Sequence, residues 1–245
     1  MTTRAENAAS PEALAGDSTK QRKRAIAVAC AVLFLLSVGV RLLVWFNTAG
    51  EINKPLSVST GSYVHDAHIL LRGDVKTFLG GPNPPVDANI LAHPPGYALL
   101  MTAVFAVHDS MNSLRVVQVI LSSAVPVLML LIAAQFLSWR AALLAGVLGA
   151  LSPQLAYNSL LLLPDNLAVL PILLALWFLL RGGPSGNWTG LIVSGALLGV
   201  SVWFRANVLL LPVFVAAAAG LTLLPPGRRW RSAVIVVAAL LVIAP

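Results

Sequence analysis

The stretch KQRKRAIAVACAVLFLLSVGVRLLVWF, residues 20–46, decides the class of fold. A basic segment, 20–24, precedes the apolar run 25–46, whose one charged residue is Arg41. About 20 apolar residues cross a bilayer as a helix. The run is too long for a signal-peptide core and has no small-residue cleavage site at its end. It therefore predicts a retained transmembrane helix with a cytoplasmic N-terminus, and we expect Arg41 to snorkel toward the outer surface.

The composition excludes a soluble protein of this length. The chain is 58% hydrophobic and 10% charged, and its mean hydropathy is +0.86. The net charge of +7 does not indicate a nucleic-acid partner, because the basic residues lie beside apolar runs. The single cysteine, Cys30, lies in the first run and cannot form an intrachain disulfide. These features are typical of a polytopic helical membrane protein.

Six further apolar runs predict transmembrane helices: 113–137, 141–157, 167–180, 188–204, 206–224 and 233–245. The predicted fold is therefore an all-α polytopic membrane protein with about seven transmembrane helices. It has a disordered cytoplasmic tail, 1–24, and a membrane domain, 25–245. That domain includes a large first extracytoplasmic loop, 47–112, with interfacial helices.

The charge pattern predicts the orientation of these spans. Segments 20–24, 138–140, 181–187 and 227–232 fall on one side and carry Lys or Arg but no acid. The segments on the other side carry Asp66, Asp74, Asp87, Asp109 and Asp165. This separation follows the positive-inside rule and predicts a multi-pass protein of the cell membrane. It requires residues 95–108 to be an interfacial or re-entrant helix rather than a span.

The outer loop contains a second predicted helix, residues 63–72. At about 100° per residue, Tyr63, Asp66, Ala67 and Leu70 share one face, and His65, His68 and Arg72 share the opposite face. Asp66 is thus an acid on the apolar side of a short helix. Burying a carboxylate without a partner is costly, which favours a functional role for Asp66.

Several motifs together resemble a known group of enzymes. They are Tyr63-x3-Ala67-x2-Leu70-Leu71-x-Gly73, His93-Pro94-Pro95-Gly96-Tyr97, Arg115-x2-Gln118, Leu151-Ser152-Pro153 with Tyr157, Leu163-Pro164-Asp165 and Trp203-Phe204-Arg205. In order and spacing they resemble GT-C glycosyltransferases over about residues 41–245. The most similar group is the dolichyl-phosphate-mannose–protein mannosyltransferase family (glycosyltransferase family 39), with its bacterial relatives.

The resemblance implies a hexosyl- or pentosyltransferase. Such an enzyme takes a sugar from a polyprenyl-phosphate donor and gives it to a protein, lipid or glycan acceptor at the outer membrane face. In the family, an acid four residues before the tyrosine is the candidate base, but Ser59 stands there in this chain. Relatives also continue beyond the proline equivalent to Pro245. The chain therefore resembles the N-terminal part of a longer enzyme.

Five residues are the predicted site. Asp66 and Asp165 are the catalytic candidates, and His93, Tyr63 and Arg205 are the candidates for binding the donor phosphate or substrate. An acceptor hydroxyl is a weak nucleophile, so a carboxylate must accept its proton, and donors must hold the leaving phosphate. Asp165 could instead organise the acceptor or a metal.

Each of these residues also has a structural interpretation. Asp66 could cap a helix or pair with Arg72 or Arg41, and Asp165 suits the start of a helix. His93 could be a loop residue fixed by the diproline turn, and Arg205 could snorkel from a span end. No metal site is predicted, because His65 and His68 lack a third ligand. A divalent cation, Mg²⁺ or Mn²⁺, is the one cofactor that the resemblance leaves open.

Two other function classes remain as alternatives. One is a transporter or flippase fragment for lipid-linked substrates, which would carry charged residues at mid-membrane and repeated halves. The spans after the outer loop have almost no mid-membrane charges, and the sequence shows no internal repeat. A non-catalytic fragment or subunit with the same front half is favoured by Ser59 and by the end at Pro245.

Overall fold

The computed structural model describes residues 11–50, 58–78 and 94–243, with side chains from Gln21 onward apart from residues 22, 58 and 59. These residues form eleven α-helices and two short 3-10 helices, and none of them lies in a β-strand. The all-α prediction is confirmed.

Three helices are long and apolar enough to cross a membrane. They are α1 (Pro11–Thr48, apolar from Lys23), α5 (Met111–Ala133) and α8 (Asp165–Gly182). The remaining helices are α2 (Val58–Leu71), α3 (Val75–Phe78), α4 (Pro95–Phe105), α6 (Trp139–Leu151), α7 (Pro153–Asn158), α9 (Trp188–Phe204), α10 (Leu211–Thr222) and α11 (Ala233–Ile243). The 3-10 helices are Ala206–Val208 and Pro226–Ser232.

The helix bounds differ from the predicted spans where a capping residue or a proline intervenes. The predicted span 141–157 is two helices, because Ser152 accepts a hydrogen bond from the Leu155 amide and Pro153 opens α7. The predicted span 206–224 likewise begins with a 3-10 helix, and Pro212 opens α10. By contrast, α9 has the predicted bounds, with Asn187 as its N-cap.

The first helix is longer than the predicted span 25–46. It begins at Pro11 and ends at Thr48, so residues 11–24 of the predicted disordered tail are helical. Helix α4 lies where an interfacial helix was expected, 95–108, but ends at Phe105 after 11 residues.

Small residues let the helices approach closely. Helices α8 and α9 form an antiparallel hairpin, and a Cβ built on Gly182 would lie 2.9 Å from the Cα of Gly190. Helix α11 packs against the other side of α9, and α5 contacts α1, α6 and α8. Because lipid tails are as apolar as leucine, close packing of this kind stabilises helices in a membrane.

The prediction that Arg41 snorkels is wrong. Its side chain is only 1% exposed and lies between α1 and α5. Nε donates to the Ser122 hydroxyl over 3.1 Å, Nη2 donates to the Ser122 carbonyl, and Nη1 donates to the Ser37 carbonyl and hydroxyl. The guanidinium stays inside because these serines supply its acceptors there.

The predicted faces of the 63–72 helix are correct except for His68. Tyr63 and Ala67 of α2 are buried, whereas His65 and Arg72, the residue after α2, are exposed. His68 is half-buried, because its ring stacks on Phe105 and its Nε2 lies 3.1 Å from Asp109. These contacts join the end of α2 to α4 and to the α4–α5 connection.

Candidate functional site

One cleft lies where the start of α8, the end of α9 and α2 meet. Its volume is about 250 Å³ and it opens to the surface. It is lined by Tyr63, Pro94, Pro164, Asp165, Phe204, Arg205, Ala206 and Asn207. Because α8 and α9 are antiparallel, the first residue of α8 and the residue after α9 come to the same end of the bundle.

An ion pair stands at the mouth of this cleft. Nη1 of Arg205 lies 2.7 Å from Oδ1 of Asp165, and the two side chains are 43% and 49% exposed. Asp165 opens α8, where the unpaired amides of the helix start favour a negative charge. Arg205 is placed by the extended backbone that ends α9. A half-exposed guanidinium can still donate to a second anion while it holds Asp165.

Tyr63 forms the floor of the cleft on the α2 side. Its side chain is buried, and its ring meets that of Tyr97 edge to face, with the centroids 5.1 Å apart. Burial, then the charge of Asp165 and then that of Asp66 raise the pKa of Tyr63 to about 12. The phenol therefore stays protonated at neutral pH and presents a hydrogen-bond donor.

A buried network supports the segment that leads into Asp165. Thr60 donates to the Leu162 carbonyl over 3.1 Å. The Gln118 amide nitrogen lies 3.3 Å and 3.4 Å from the carbonyls of Leu161 and Leu163. These bonds join α2 and α5 to consecutive residues ahead of Pro164. The backbone polar groups of this non-helical segment are thereby satisfied away from water.

The glycine of the His93–Tyr97 motif is required by a close helix contact. A Cβ built on Gly96 would lie 2.6 Å from the Trp203 carbonyl oxygen and 2.8 Å from its carbon. Only glycine lets the start of α4 approach the end of α9 this closely. The contact brings Pro94 to the cleft wall beside Arg205.

The structure brings together three of the five predicted site residues: Tyr63, Asp165 and Arg205. Asp66 is half-buried on α2 and is not a lining residue, although its charge acts on Tyr63. His93 lies outside the described residues, and its neighbour Pro94 lines the cleft.

Sequence reasoning missed two residues near the cleft. Asn207 lines it but falls within the predicted 206–224 span, so no signal distinguished it. Thr60, in the first turn of α2, supports the cleft through its hydrogen bond to the Leu162 carbonyl. Gln118 belongs to the Arg115-x2-Gln118 motif, but the spacing does not predict its contact with the Leu161 and Leu163 carbonyls.

The residues that line the cleft do not by themselves form a binding site for a divalent cation. In the part of the chain that the structure describes, no group of three or more His, Cys, Asp and Glu side chains could hold a metal ion. The lining set contains one carboxylate, Asp165, and Arg205 already contacts it.

Comparison with known proteins places the molecule in a family. The family model described as dolichyl-phosphate-mannose-protein mannosyltransferase matches residues 92–245, more than half of the chain. No curated protein and no solved structure matches. The matched region includes Asp165, Arg205 and the α4–α9 contact, and the helices are those of a membrane protein. The chain belongs to the dolichyl-phosphate-mannose-protein mannosyltransferase family and has the features of a membrane glycosyltransferase of the GT-C type.

Proposed function

We propose that the protein transfers a sugar from a polyprenyl-phosphate donor to a protein, lipid or glycan acceptor at the extracytoplasmic membrane face. The observation that carries the proposal is the Asp165–Arg205 pair at an open cleft, with a separation of 2.7 Å. A carboxylate and a guanidinium are the two groups that the transfer needs. The positive-inside pattern supports a multi-pass protein of the cell membrane with this cleft outside.

In the proposed reaction, the acceptor hydroxyl attacks the anomeric carbon of the donor sugar. Asp165 accepts the hydroxyl proton as the new carbon–oxygen bond forms. The bond between the anomeric carbon and the phosphate oxygen breaks, and the phosphate leaves with the bonding electrons. The N–H groups of Arg205 stabilise the charge that develops on this leaving group.

The Asp165–Arg205 ion pair supports a sequence in which the donor binds before Asp165 accepts the proton. Arg205 forms an ion pair with Asp165. A donor phosphate that binds Arg205 shares its N–H groups with the carboxylate, which leaves Asp165 freer to accept a proton. Tyr63, whose phenol is neutral and lines the same cleft, is the proposed substrate-binding residue on the α2 side. Asp66 is the alternative base.

Radiolabelled polyprenyl-phosphate-mannose, in membranes that contain the protein, tests the proposal. We expect Asp165→Asn to retain donor binding and to lower transfer by about 10²–10⁴-fold, the usual contribution of a general base. Arg205→Gln should weaken donor binding about 10-fold or more, because it removes a charged hydrogen-bond partner. Asp74→Asn, an exposed acid of the α2–α3 turn, is the matched control.

Two outcomes separate the candidate bases. If Asp66→Asn abolishes transfer and Asp165→Asn does not, Asp66 is the base. If donor binding and transfer are unaffected by Asp165→Asn, Arg205→Gln and Asp66→Asn alike, the proposed site is wrong. Binding is measured alongside transfer so that loss of the donor site and loss of chemistry are distinguished.

A further inference from the structure

A second cluster of charged and aromatic side chains lies at the other end of the α8–α9 hairpin. It is formed by the α8–α9 connection, residues 183–187, the first residue of α9 and the 3-10 helix Pro226–Ser232. It contains Trp188, Arg228, Trp230 and Arg231. We call it the Trp/Arg cluster. Nothing in the proposed transfer reaction uses these residues.

The cluster lies one membrane thickness from the cleft. Asp165 opens α8, whereas the 183–187 connection follows its end, 18 residues later. At about 1.5 Å per residue the two ends are about 27 Å apart. The hydrocarbon core of a bilayer is about 30 Å thick. If the cleft meets one membrane surface, the Trp/Arg cluster therefore meets the other.

Arg231 lies beside two indole rings that contact each other. Its guanidinium carbon lies 4.8 Å from the ring centroid of Trp188 and 5.8 Å from that of Trp230. The two indoles meet edge to face, with centroids 5.5 Å apart. Cation–π contacts of this kind stabilise the position of the guanidinium, and its Nη1 still donates a hydrogen bond to the protein.

The connection between α8 and α9 orients both guanidiniums. Nη1 of Arg231 donates to the Gly186 carbonyl over 3.1 Å, and Nη1 of Arg228 donates to the Ser185 carbonyl over 3.2 Å. Gly186 has a positive φ of 65°, and a Cβ there would lie 3.3 to 3.5 Å from atoms of both arginines. The glycine thus lets two cations approach one turn.

One guanidinium N–H group of the Trp/Arg cluster has no acceptor among the described residues. Nε of Arg231 is buried and has no hydrogen-bond partner among the described residues. The charge of Arg231 is thus incompletely compensated within the protein, and an anion bound by the exposed Arg228 and Arg229 beside it would stabilise that charge electrostatically. Residues 166–245 contain no Asp or Glu, so no carboxylate of this part of the chain can serve.

The position and chemistry together identify the ligand class. Trp188 and Trp230 are exposed, as tryptophans are at the level of lipid headgroups. Two oriented guanidiniums, with the exposed Arg229 between them in sequence, complement a phosphate. We propose that the Trp/Arg cluster binds the headgroup phosphate of an anionic phospholipid, in the leaflet opposite the leaflet that the cleft faces.

Native mass spectrometry of the purified protein tests this proposal, with phosphatidylglycerol or phosphatidylcholine added at equal concentration. We expect the wild-type protein to retain phosphatidylglycerol in preference. Arg228→Gln together with Arg231→Gln should reduce that preference by about 25-fold, because each arginine near an anionic lipid contributes about a factor of five. Arg140→Gln removes one exposed arginine at the start of α6, outside the cluster, and should change the preference by no more than about five-fold.

Each alternative outcome has a definite meaning. Equal retention of the two lipids by the wild-type protein, or an unchanged preference in the double variant, would overturn the proposal. Displacement of phosphatidylglycerol by inorganic phosphate at millimolar levels would assign the cluster to a free anion instead. Should the double variant not fold, Trp230→Leu, which changes a 65% exposed side chain, must still lower the preference of the protein for phosphatidylglycerol.

Discussion

The Tyr97 hydroxyl donates to the Gln118 side-chain carbonyl over 3.2 Å inside the protein, and both residues are fully buried. The amide end of Gln118 reaches the carbonyls on either side of Leu162. One glutamine therefore couples α4 and α5 to the segment ahead of Asp165. The cleft depends on contacts that lie outside it.

Replacing Gln118 by leucine should loosen this segment. The variant cannot donate to the Leu161 and Leu163 carbonyls and leaves the Tyr97 hydroxyl without its acceptor. We expect a stability loss of about 1–3 kcal/mol, the usual cost of unpaired buried polar groups, and slower sugar transfer. Thermal unfolding in detergent and the transfer assay measure the two effects.

Gln135→Leu is the matched control for this change. Gln135 lies just beyond the end of α5 and is exposed, and its side-chain amide donates to the Leu131 carbonyl. The substitution should leave both stability and transfer unchanged, since water can donate to the Leu131 carbonyl in place of the lost side chain. Equal effects of the two substitutions would show that the Gln118 network does not support Asp165.

The raised pKa of Tyr63 predicts a loss of stability at high pH. The phenol titrates near 10 in an unfolded chain and at about 12 in the folded protein. The stabilisation is complete below pH 10 and disappears as the pH rises toward 12, because only the unfolded state then releases the proton. Tyr63→Phe should flatten the decline in the free energy of unfolding over this range.

Substitution of the neighbouring acids separates the causes of this shift. Burial is the largest cause, followed by the charge of Asp165 and then that of Asp66. Asp165→Asn should therefore lower the pKa of Tyr63 more than Asp66→Asn does, and neither should restore the ordinary value. NMR of ring-labelled tyrosine, with Tyr63→Phe for assignment, measures the midpoint. An ordinary midpoint in the wild-type protein would show that Tyr63 is not buried beside these acids.

The parts of the fold that the sequence predicted are those governed by local signals. The bounds of α9 agree with the predicted span 188–204, because the apolar run begins directly after Asn187, which caps the helix. The predicted span 141–157 was not recognised as two helices, because hydropathy averages over Ser152 and Pro153. Serine is a strong N-cap and proline suits the first helical turn, so together they start a new helix within apolar sequence.

Long-range contacts account for what could not be predicted. Arg41 was expected at the surface, but its acceptor Ser122 lies 81 residues away in sequence. Tyr63, Asp165 and Arg205 were predicted separately, and their common cleft results from the α8–α9 hairpin and the packing of α2 and α4. The roles of all five predicted site residues remain predictions.

The Gly96 contact predicts a large effect from a small substitution. In Gly96→Ala, the new methyl group would meet the Trp203 carbonyl at 2.6 Å, so α4 must move away from α9. We expect a loss of about 1–3 kcal/mol, typical of overpacking, and weaker donor binding, since Pro94 moves with α4. The free energy of unfolding in a denaturing-detergent titration measures the first effect.

Gly61→Ala provides the control. Gly61 is also helical, but it is exposed and nothing lies within 4 Å of a Cβ built there. Alanine should stabilise α2 by about 0.5–1 kcal/mol, because glycine loses more conformational freedom on folding. Opposite signs for the two glycine substitutions would establish the α4–α9 contact, and equal signs would contradict it.

Arg41 and Ser122 should be energetically coupled. In the wild-type protein, Ser122→Ala leaves a buried guanidinium N–H without its acceptor, so we expect a cost of about 1.5–3 kcal/mol. In the Arg41→Met background the same substitution should cost less than about 0.5 kcal/mol, because no charge remains to be satisfied. Ser194→Ala controls for loss of a buried serine, since the Ser194 hydroxyl has no hydrogen-bond partner among the described residues. An equal cost of Ser122→Ala in both backgrounds would mean that Arg41 is stabilised by other groups.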